Sequence, residues 1–330
     1  MADAAYGMRA GARDDASRAA LLARHETVGL DGLLARRGRG GWRVPVPAPA
    51  AQEGFRWGFW DGRTPVWWPQ GIDVRRDGSG HTIVVSWYAQ RKGLGVATRL
   101  SFVRLRPGRR PRYQHVLLVE ADADGTMRPI AVHAGGIAWH GDRVYVADTF
   151  GGIRLFLVDD IAKVRRDGWR RPRGAQGYRY VLPQEAALDA ITPDGERRMR
   201  YSFVSLEEGA EAPQLVVGEY RDGDDGRLAR LPLDPGEAGS TLVFHAPAPR
   251  RMQGACVVDG TWFITTSAGT RNGDLWVGEP GTLVRHAGVL PPGPEDLARE
   301  RGTRMLWSLS EHPGRRFVFR IDPDRWTPAS

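Results

Sequence analysis

The stretch "VHAGGIAWHGDRVYVADTFGGIRLF", from Val132 to Phe156, holds three apolar runs separated by tight polar turns. Runs rich in Val, Ile, Phe and Tyr that alternate with Gly and Asp turns are typical of antiparallel strands. A histidine, His133, stands before the first run, and the second run ends at an aspartate, Asp148. What these two polar residues do depends on whether the unit is repeated.

Similar units recur from residue 42 onward, in sets of four strand-like runs that begin near residues 70, 133, 201, 253 and 295. The fifth set holds only three runs. Four antiparallel strands repeated radially form the blades of a β-propeller. We therefore predict an all-β chain folded as a five-bladed β-propeller. Six blades are the alternative, because the sets are unevenly spaced.

The short fifth set predicts how the ring closes. A strand from "GWRVPVPA" (41–48) or "EGFRWGFWD" (53–61) would supply the missing fourth strand and remove an exposed sheet edge. In the second set, "YRYVLPQ" (178–184) is assigned as the fourth strand. "PQEAALDA" (183–190) has the pattern of a short helical turn.

Residues 1–41 differ in pattern from the rest of the chain. Apolar residues such as Leu21, Leu22, Leu33 and Leu34 recur at helical spacing, and "ARRGRGG" follows them. We expect a short N-terminal arm over residues 1–41, helical or partly disordered, and a propeller over residues 42–330.

The bulk composition restricts the class of protein. The chain has 330 residues, a net charge of +8 and one cysteine, Cys256, so an internal disulfide is excluded. Its apolar runs fall far short of the roughly 20 residues that a membrane helix needs. The arginines are scattered over turns, which favours a solvated surface over a nucleic-acid stripe. We expect a soluble cytoplasmic protein with no nucleic-acid or membrane partner, or a secreted one if a signal peptide was removed.

Radial repetition predicts where the polar residues meet. The start of the first strand and the end of the second strand in each blade lie on one face of the ring. The starts carry Gln70, His133, Gln253 and Glu295. The ends carry Trp87, Asp148, Glu219 with its neighbour Tyr220, Ser267 and Glu311. Convergent polar groups in a concave place are typical of a small-molecule site.

These residues differ in chemistry, which favours separate roles. His133 has a reference pKa near neutrality and is the first candidate for a general acid or base. Glu295, with Asp296 as its alternative, is the candidate acid, because a carboxyl in a channel mouth can have a raised pKa. Gln70 and Gln253 would orient the ligand, and Trp87 would pack against it. A structural plug, in which these groups satisfy one another and ordered water, is the alternative.

Ten motifs, among them "WWPQGI", "VHAGGIAW", "VYVADT", "LVVGEY" and "GPEDL", resemble an actinobacterial family usually described as hypothetical secreted proteins. "GIAWHGDRVYVADT" is also distantly similar to repeats of the strictosidine-synthase and SMP-30 propellers. The second resemblance implies that small molecules are transformed in the channel. SMP-30 enzymes hold a divalent metal by carboxylates, but Glu295 is the one clear carboxylate at a strand start here. We therefore expect no cofactor, with a divalent metal as the alternative.

Two functions fit this pattern. The first is an enzyme that carries out cyclisation, elimination, isomerisation or hydrolysis of a small molecule, in specialised-metabolite biosynthesis. The second is a glycan- or ligand-binding propeller without catalysis. The strand ends differ from set to set, which favours one central site over repeated sites. The sequence leaves the substrate, the reaction and the oligomeric state open.

Overall fold

The computed structural model describes residues 5–89, 97–166, 168, 172–208, 212–234, 236 and 239–327. Within these residues the strands form five sheets. We call the strand that lies at one edge of each sheet and nearest the centre its first strand, and we number the sheets by the chain order of these strands: Trp67–Asp77, Ile137–His140, Phe203–Glu207, Met252–Val258 and Pro294–Arg299. The main strands are Trp67–Asp77, Gly80–Ala89, Thr98–Leu105 and Arg112–Ala121 in sheet 1; Ile137–His140, Arg143–Asp148, Gly152–Leu157 and Ala186–Ile191 in sheet 2; Phe203–Glu207, Gln214–Gly218, Leu228–Pro232 and Val243–His245 in sheet 3; Met252–Val258, Thr261–Ala268, Arg271–Gly278 and Val284–Pro292 in sheet 4; and Pro294–Arg299, Leu306–Ser310, Phe317–Ile321 and Ala51–Arg56 in sheet 5.

Short strands extend three of these sheets. They are Arg39–Gly40, Met127–Pro129, Tyr180–Pro183, Ala162–Lys163 and Glu26–Thr27 on sheet 1; Gly7–Ala10 and Ser240–Thr241 on sheet 2; and Trp42–Arg43 on sheet 5. The helices are Asp15–Arg24, Gly29–Leu34 and Phe59–Arg63, with 3-10 turns at Val158–Asp160, Arg173–Ala175 and Pro323–Arg325. None of the helices in the described ranges has the length and apolarity that crossing a membrane requires.

The first strands of the sheets meet around a common axis. The first strand of sheet 1 contacts those of sheets 2 and 5, and further contacts join sheet 2 to 3, 3 to 4 and 4 to 5. A separate apolar cluster fills each of these five interfaces. Each sheet therefore buries both faces against its neighbours, which is the radial arrangement of a β-propeller.

The last sheet is completed from the N-terminal part of the chain. Ala51–Arg56 pairs antiparallel with Phe317–Ile321, so that Phe55 lies opposite Val318. Its residues 53–56 come from the second of the two stretches that the sequence suggested. The pairing covers the outer edge of Phe317–Ile321 and joins the last sheet to a segment that precedes the first sheet in the chain.

The assignment of the fourth strand in sheet 2 was wrong. Tyr180–Pro183 instead pairs parallel with Arg112–Ala121 and belongs to sheet 1. The fourth place in sheet 2 is taken by Ala186–Ile191, where the sequence suggested a helical turn. The local pattern could not distinguish these choices, because both segments are short apolar runs and the sheet edges that accept them are far away in sequence.

The N-terminal segment packs on the body of the protein. Gly7–Ala10 pairs antiparallel with Ala186–Ile191 and so adds a strand to sheet 2. Helix Asp15–Arg24 begins with Asp14, whose side chain accepts a hydrogen bond from the Ser17 N–H. Leu21 of this helix is fully buried in a sixth apolar cluster with residues of sheet 1. The helix is thus held by its apolar face, which supplies most of the stability of a helix this short.

A buried carboxylate fixes helix Phe59–Arg63, which follows the closing strand, onto sheet 1. Asp61 Oδ1 lies 3.2 Å from Arg99 and 3.1 Å from His115 Nε2, and Oδ2 accepts from the Tyr113 hydroxyl at 2.7 Å. Burial alone would raise the pKa of Asp61, yet the hydrogen bonds from His115 and Tyr113 and the charge of Arg99 hold it well below its usual range. This carboxylate therefore stays ionised and tethers the ring closure.

His115 has the opposite preference and stays neutral. Burial and the nearby Arg99 guanidinium lower the pKa of His115 to about 4. A neutral ring satisfies both of its contacts, with Nε2–H donating to Asp61 and Nδ1 accepting from the Ser101 hydroxyl at 2.7 Å. The network is complete only while this ring carries one proton.

This network predicts a loss of stability in acid. A histidine whose folded-state pKa is depressed contributes stability that is present above pH 6.5 and is lost as the pH falls towards 4. For His115, the loss in the free energy of unfolding over this pH range is about 3 kcal/mol, because each unit of pKa corresponds to about 1.4 kcal/mol. Urea unfolding between pH 7.5 and 4.5 should show a smaller decrease of stability for His115→Gln than for the unchanged protein. His286→Gln, on an outer strand of sheet 4, should retain the full decrease, and equal slopes for all three proteins would refute the prediction.

Candidate functional site

A polar cavity of about 340 Å³ lies at one end of the ring axis. All five sheets contribute to it through residues at the starts of first strands and the ends of second strands. The lining residues are Gln70, Tyr88, His133, Thr149, Arg200, Ser202, Tyr220, Gln253, Glu295 and Glu311. The structure thus brings together six of the ten predicted site residues, namely Gln70, His133, Tyr220, Gln253, Glu295 and Glu311.

The lining residues are held in place because the first strands of neighbouring sheets approach one another closely. A Cβ on Gly71 would lie 2.6 Å from the Gly136 carbonyl carbon, and one on Gly136 would lie 2.0 Å from the Val204 nitrogen. A Cβ on Gly254 would lie 2.6 Å from the Asp296 Cα. Backbones can meet this closely only at glycine. The residues just before these contact points form a ring at the mouth: Gln70, Gly135, Ser202, Gln253 and Glu295.

Sheet 2 supplies its side chain to this ring in a different way. Gly135 occupies the equivalent position, and His133 Cδ2 lies 3.4 Å from the place where a Cβ on Gly135 would be. The His133 ring also packs on Tyr88, with ring centroids 4.2 Å apart. The His133 side chain therefore approaches the gap that the glycine leaves, and the residue as a whole is exposed to solvent.

The surroundings of His133 disfavour its charged form. Burial of part of the ring, together with the Arg200 guanidinium, lowers the pKa of His133 to about 4. Burial and the nearby carboxyl groups of Glu311 and Glu295 raise the pKa of Tyr88 to about 12. Near neutral pH the cavity thus presents a neutral imidazole that can accept a proton and a phenol that keeps its own.

Sheet 5 contributes two carboxyl groups. Glu295 is 3% exposed, and its Oε1 lies 3.3 Å from Gln253 Nε2. Glu311 Oε2 accepts a hydrogen bond from Gln70 Nε2 at 3.1 Å. Burial raises the pKa of Glu295 well above its usual range, and the nearby carboxyl groups of Glu311 and Asp296 raise it further. These surroundings therefore favour the protonated form of Glu295, which can donate a proton.

Asp296, the alternative acid, has a structural position. Its Oδ2 accepts from the backbone N–H groups of Ile72 at 3.2 Å and Ile137 at 3.1 Å, on the first strands of sheets 1 and 2. The residue is fully buried and is absent from the cavity lining. Asp296 thus holds the inner strands together below the cavity, and Glu295 is the carboxyl that faces the site.

Four predicted site residues lie outside the cavity lining. Trp87 is fully buried in the apolar cluster between sheets 5 and 1. Asp148 pairs with Arg154 at 2.9 Å. Glu219 is fully buried and accepts from Arg197 and Arg227. Ser267 lines a different groove.

Three of these four differences have one cause. At the ends of the second strands of sheets 1, 2 and 3, the lining residues are Tyr88, Thr149 and Tyr220, which come one position after Trp87, Asp148 and Glu219. Neighbouring residues of a strand point to opposite faces of the sheet, so a shift of one position takes the side chain away from the cavity.

Arg200 and Ser202 were not identified from the sequence, and each has a structural reason to be there. Ser202 holds the ring position of sheet 3, and its hydroxyl oxygen accepts from the Tyr220 N–H at 3.0 Å. The Arg200 N–H donates to Glu219 Oε1 at 2.9 Å, which fixes the backbone beside the cavity. The start of this set, "RYSFV", lacks the glycine that marks sheets 1, 2 and 4, so no motif pointed to it.

The groove that holds Ser267 is larger, at about 540 Å³, and lies beside sheet 4. Its arginines are largely paired: Arg250 with Asp224, Arg251 with Asp222, and Arg285 with Asp274. The axial cavity is the better candidate site because its polar groups converge from all five sheets and two of its titratable groups have strongly shifted pKa values.

Within the described ranges, no three His, Cys, Asp or Glu side chains are grouped so that they could hold a metal ion. Glu295 and Glu311 are the carboxyl groups of the cavity lining, and each is hydrogen-bonded by a glutamine amide. Both carboxyl groups of the lining therefore take part in hydrogen bonds with amide side chains.

A scan against protein-family models finds no match, and a search of curated proteins finds none. Among solved structures, the glutaminyl cyclase of Myxococcus xanthus is similar at 14% identity and a TM-score of 0.38, over 87% of this chain and 100% of that one. The N11 neuraminidase-like protein of A/flat-faced bat/Peru/033/2010 has 10% identity and a TM-score of 0.43, over 86% and 94%. The GH43_1 enzyme of Xanthomonas citri has 12% identity and a TM-score of 0.39, over 78% and 88%. Likenesses this distant carry no conclusion about function, which has to be argued from the residues of this chain.

The position of Glu219 predicts a stabilising role. Glu219→Ala would leave Arg197 and Arg227 without their carboxylate and remove the acceptor of the Arg200 N–H. We expect a loss of about 3 kcal/mol in the free energy of unfolding, measured by urea titration. Glu279→Ala, at an exposed turn, should change it by less than about 0.5 kcal/mol. Equal effects of the two substitutions would mean that the Glu219 ion pairs contribute no stability.

Proposed function

We propose that this protein is an enzyme that transforms a small molecule by acid–base chemistry in the axial cavity of a five-bladed propeller. The observation that carries the proposal is a buried carboxyl group, Glu295, kept protonated in the same cavity as a neutral imidazole, His133. A carboxylic acid and a base with shifted pKa values in one cavity are the two components of general acid–base catalysis.

Glu295 is suited to act as the acid. It lies at the start of an inner strand, 3% exposed, where ionisation would place a charge beside Glu311 and Asp296. An uncharged carboxyl group in this place can protonate a carbonyl, ether or hydroxyl oxygen of the ligand as negative charge develops there. The low solvent exposure strengthens this interaction, because little water competes for the proton.

His133 is suited to act as the base. It approaches the cavity from sheet 2, and its pKa, lowered to about 4, leaves the imidazole unprotonated at neutral pH. Packing on Tyr88 restricts the orientation of the ring. Removal of a proton from carbon or water by His133, with donation from Glu295, fits isomerisation, elimination, cyclisation or hydrolysis.

The remaining lining residues suit a polar ligand. Gln70 and Gln253 present amides, while Ser202, Thr149 and Tyr220 present hydroxyl groups, each from a different strand end. The five sheets supply different chemistry at equivalent positions, which supports one asymmetric central site over five repeated sites. A volume of about 340 Å³ is at the small end of ligand cavities, so the ligand is a small metabolite.

The first test is a search for turnover. The purified protein is incubated in D₂O, and separately in H₂¹⁸O, with the fraction of a bacterial cell extract below 1 kDa, and the products are analysed by mass spectrometry. We expect at least one metabolite to change in mass or retention time with the unchanged protein. With Glu295→Gln, which keeps the shape and removes the acid, the rate of that change should fall by about 100-fold or more.

Glu279→Gln is the matched control, because the same substitution is made on an exposed turn. Its rate should equal that of the unchanged protein, and thermal unfolding of both variants verifies that they fold. If Glu295→Gln is folded and fully active, the acid is another group. If no metabolite changes in any sample, the protein is the binding propeller that the sequence left as the alternative.

The acid and the base together predict the pH dependence of the rate on the substrate found in this way. The rate should rise as His133 loses its proton near pH 4, stay level, and fall again at higher pH as Glu295 ionises at its raised pKa. The Glu311 carboxyl group is one cause of that raised pKa. Glu311→Gln should therefore move this second, falling limb to lower pH. A falling limb that stays in place would show that Glu295 does not titrate in it.

A further inference from the structure

One guanidinium at the cavity has no carboxylate partner. Arg200 lines the cavity from the segment before sheet 3. In the part of the chain that the structure describes, its side chain has no carboxylate oxygen within 4.0 Å, and its Nε is buried without a hydrogen-bond acceptor. Its neighbours Arg197 and Arg227 are both held by Glu219. Glu219 therefore uses its charge on these two arginines, and Arg200 receives only a backbone contact from it.

An unpaired guanidinium at a partly buried place needs an explanation. Arg200 is half-buried, and its Cζ lies 5.9 Å from the centroid of the Phe150 ring, a contact that leaves its charge without an anion. A half-buried charge is unfavourable unless a partner compensates it. A planar guanidinium binds a carboxylate through two parallel hydrogen bonds, which makes an anionic ligand the natural partner.

The charges around the cavity are arranged asymmetrically. Arg200 comes from sheet 3, whereas Glu311 and Glu295 both come from sheet 5, two sheets further around the ring. Glu311 is hydrogen-bonded to Gln70 at 3.1 Å, and the His312 ring lies 3.9 Å from it. One side of the cavity therefore presents a cation to an anion, and the other side offers carboxyl oxygens to hydroxyl groups.

We propose, on the basis of the function proposed above, that the substrates are small hydroxylated carboxylic acids whose carboxylate binds Arg200. The opposite end of the molecule, bearing a hydroxyl or carbonyl oxygen, then lies against Glu295 and Glu311. This orientation brings the oxygen that receives a proton to Glu295, and it leaves the carboxylate away from the carboxyl groups of sheet 5. Amide and hydroxyl groups between these two ends, from Gln253 and Ser202, bind the remaining hydroxyl groups.

The charge count favours a carboxylate over a phosphate. Among the described lining residues Arg200 is the one permanent cation, and Glu311 lies in the same cavity. A phosphate monoester carries close to two negative charges at neutral pH. The second charge would find no cation of its own among the described lining residues. A monoanion matches the single guanidinium.

The test compares acids with their neutral amides. Binding of glycolate, lactate and glucuronate, each paired with glycolamide, lactamide and glucuronamide, is measured by isothermal titration calorimetry at low ionic strength and pH 7. We expect at least one acid to bind about 10-fold or more tightly than its amide, because a charge-assisted contact is lost in the amide. Arg200→Gln should reduce the affinity for that acid to that of the amide.

Arg198→Gln is the matched control. The Arg198 side chain is exposed and donates to the Phe150 carbonyl at 2.7 Å, outside the cavity. It should keep the preference for the acid. The inference is overturned if none of the three acids binds, if acid and amide bind equally, or if Arg200→Gln keeps the preference.

The results of this test and of the search for turnover distinguish failure of the Arg200 proposal from failure of the proposed enzyme. A clear preference for the acid without any turnover in the extract would remove the acid–base enzyme and leave Arg200 as the anion-binding residue of a binding protein. Turnover of a neutral metabolite that depends on Glu295 would keep the enzyme and remove the role proposed for Arg200.

Discussion

The structure depends on how closely the first strands of its sheets can approach one another. Gly71, Gly136 and Gly254 allow backbone contacts that any side chain would prevent. At the corresponding position of sheet 5 the chain carries Asp296, which accepts the Ile72 and Ile137 N–H groups. These N–H groups belong to inner strands, whose axial edge has no neighbouring strand to pair with. The Asp296 carboxyl oxygen satisfies donors that would otherwise be buried without partners.

This structural solution has a chemical consequence at the next residue. Asp296 places a carboxyl group in the buried centre of the ring, and its proximity is one of the causes that raise the pKa of Glu295. Asp73, on the same strand as Gly71, accepts the Trp139 N–H in the same way, and burial raises its pKa to about 6. Two acidic side chains, Asp296 and Asp73, thus lie at the centre of the ring, where they accept hydrogen bonds from backbone N–H groups. Glu295, at the level where the ring opens, becomes a protonated acid in contact with a ligand cavity.

The sequence predicted the radial repeat, because the repeat depends on local alternation and on turn residues. It could not decide which residue at a strand end lies at the cavity, as with Trp87 and Tyr88, since a difference of one residue reverses the face. It also failed where strands from distant parts of the chain compete for an edge, as with Tyr180–Pro183. Arg200 could not be distinguished from the other arginines in the sequence. It lacks a carboxylate partner because Glu219 pairs with Arg197 and Arg227, and these pairs form only in the folded chain.

The pairing of arginines with carboxylates explains how a basic protein can be selective for one ligand. The chain has 47 lysine and arginine residues, so cations are common, and a net charge of +8 by itself indicates no particular ligand. What distinguishes one cation is the set of acceptors around it. Arg154, Arg227 and Arg230 are all held by carboxylates of their own sheets or of neighbouring segments. Arg200 lies beside a cavity whose titratable groups are driven towards their neutral forms. An anion entering that cavity meets a guanidinium that no described carboxylate neutralises, and the internal pairing of the other arginines gives Arg200 this property.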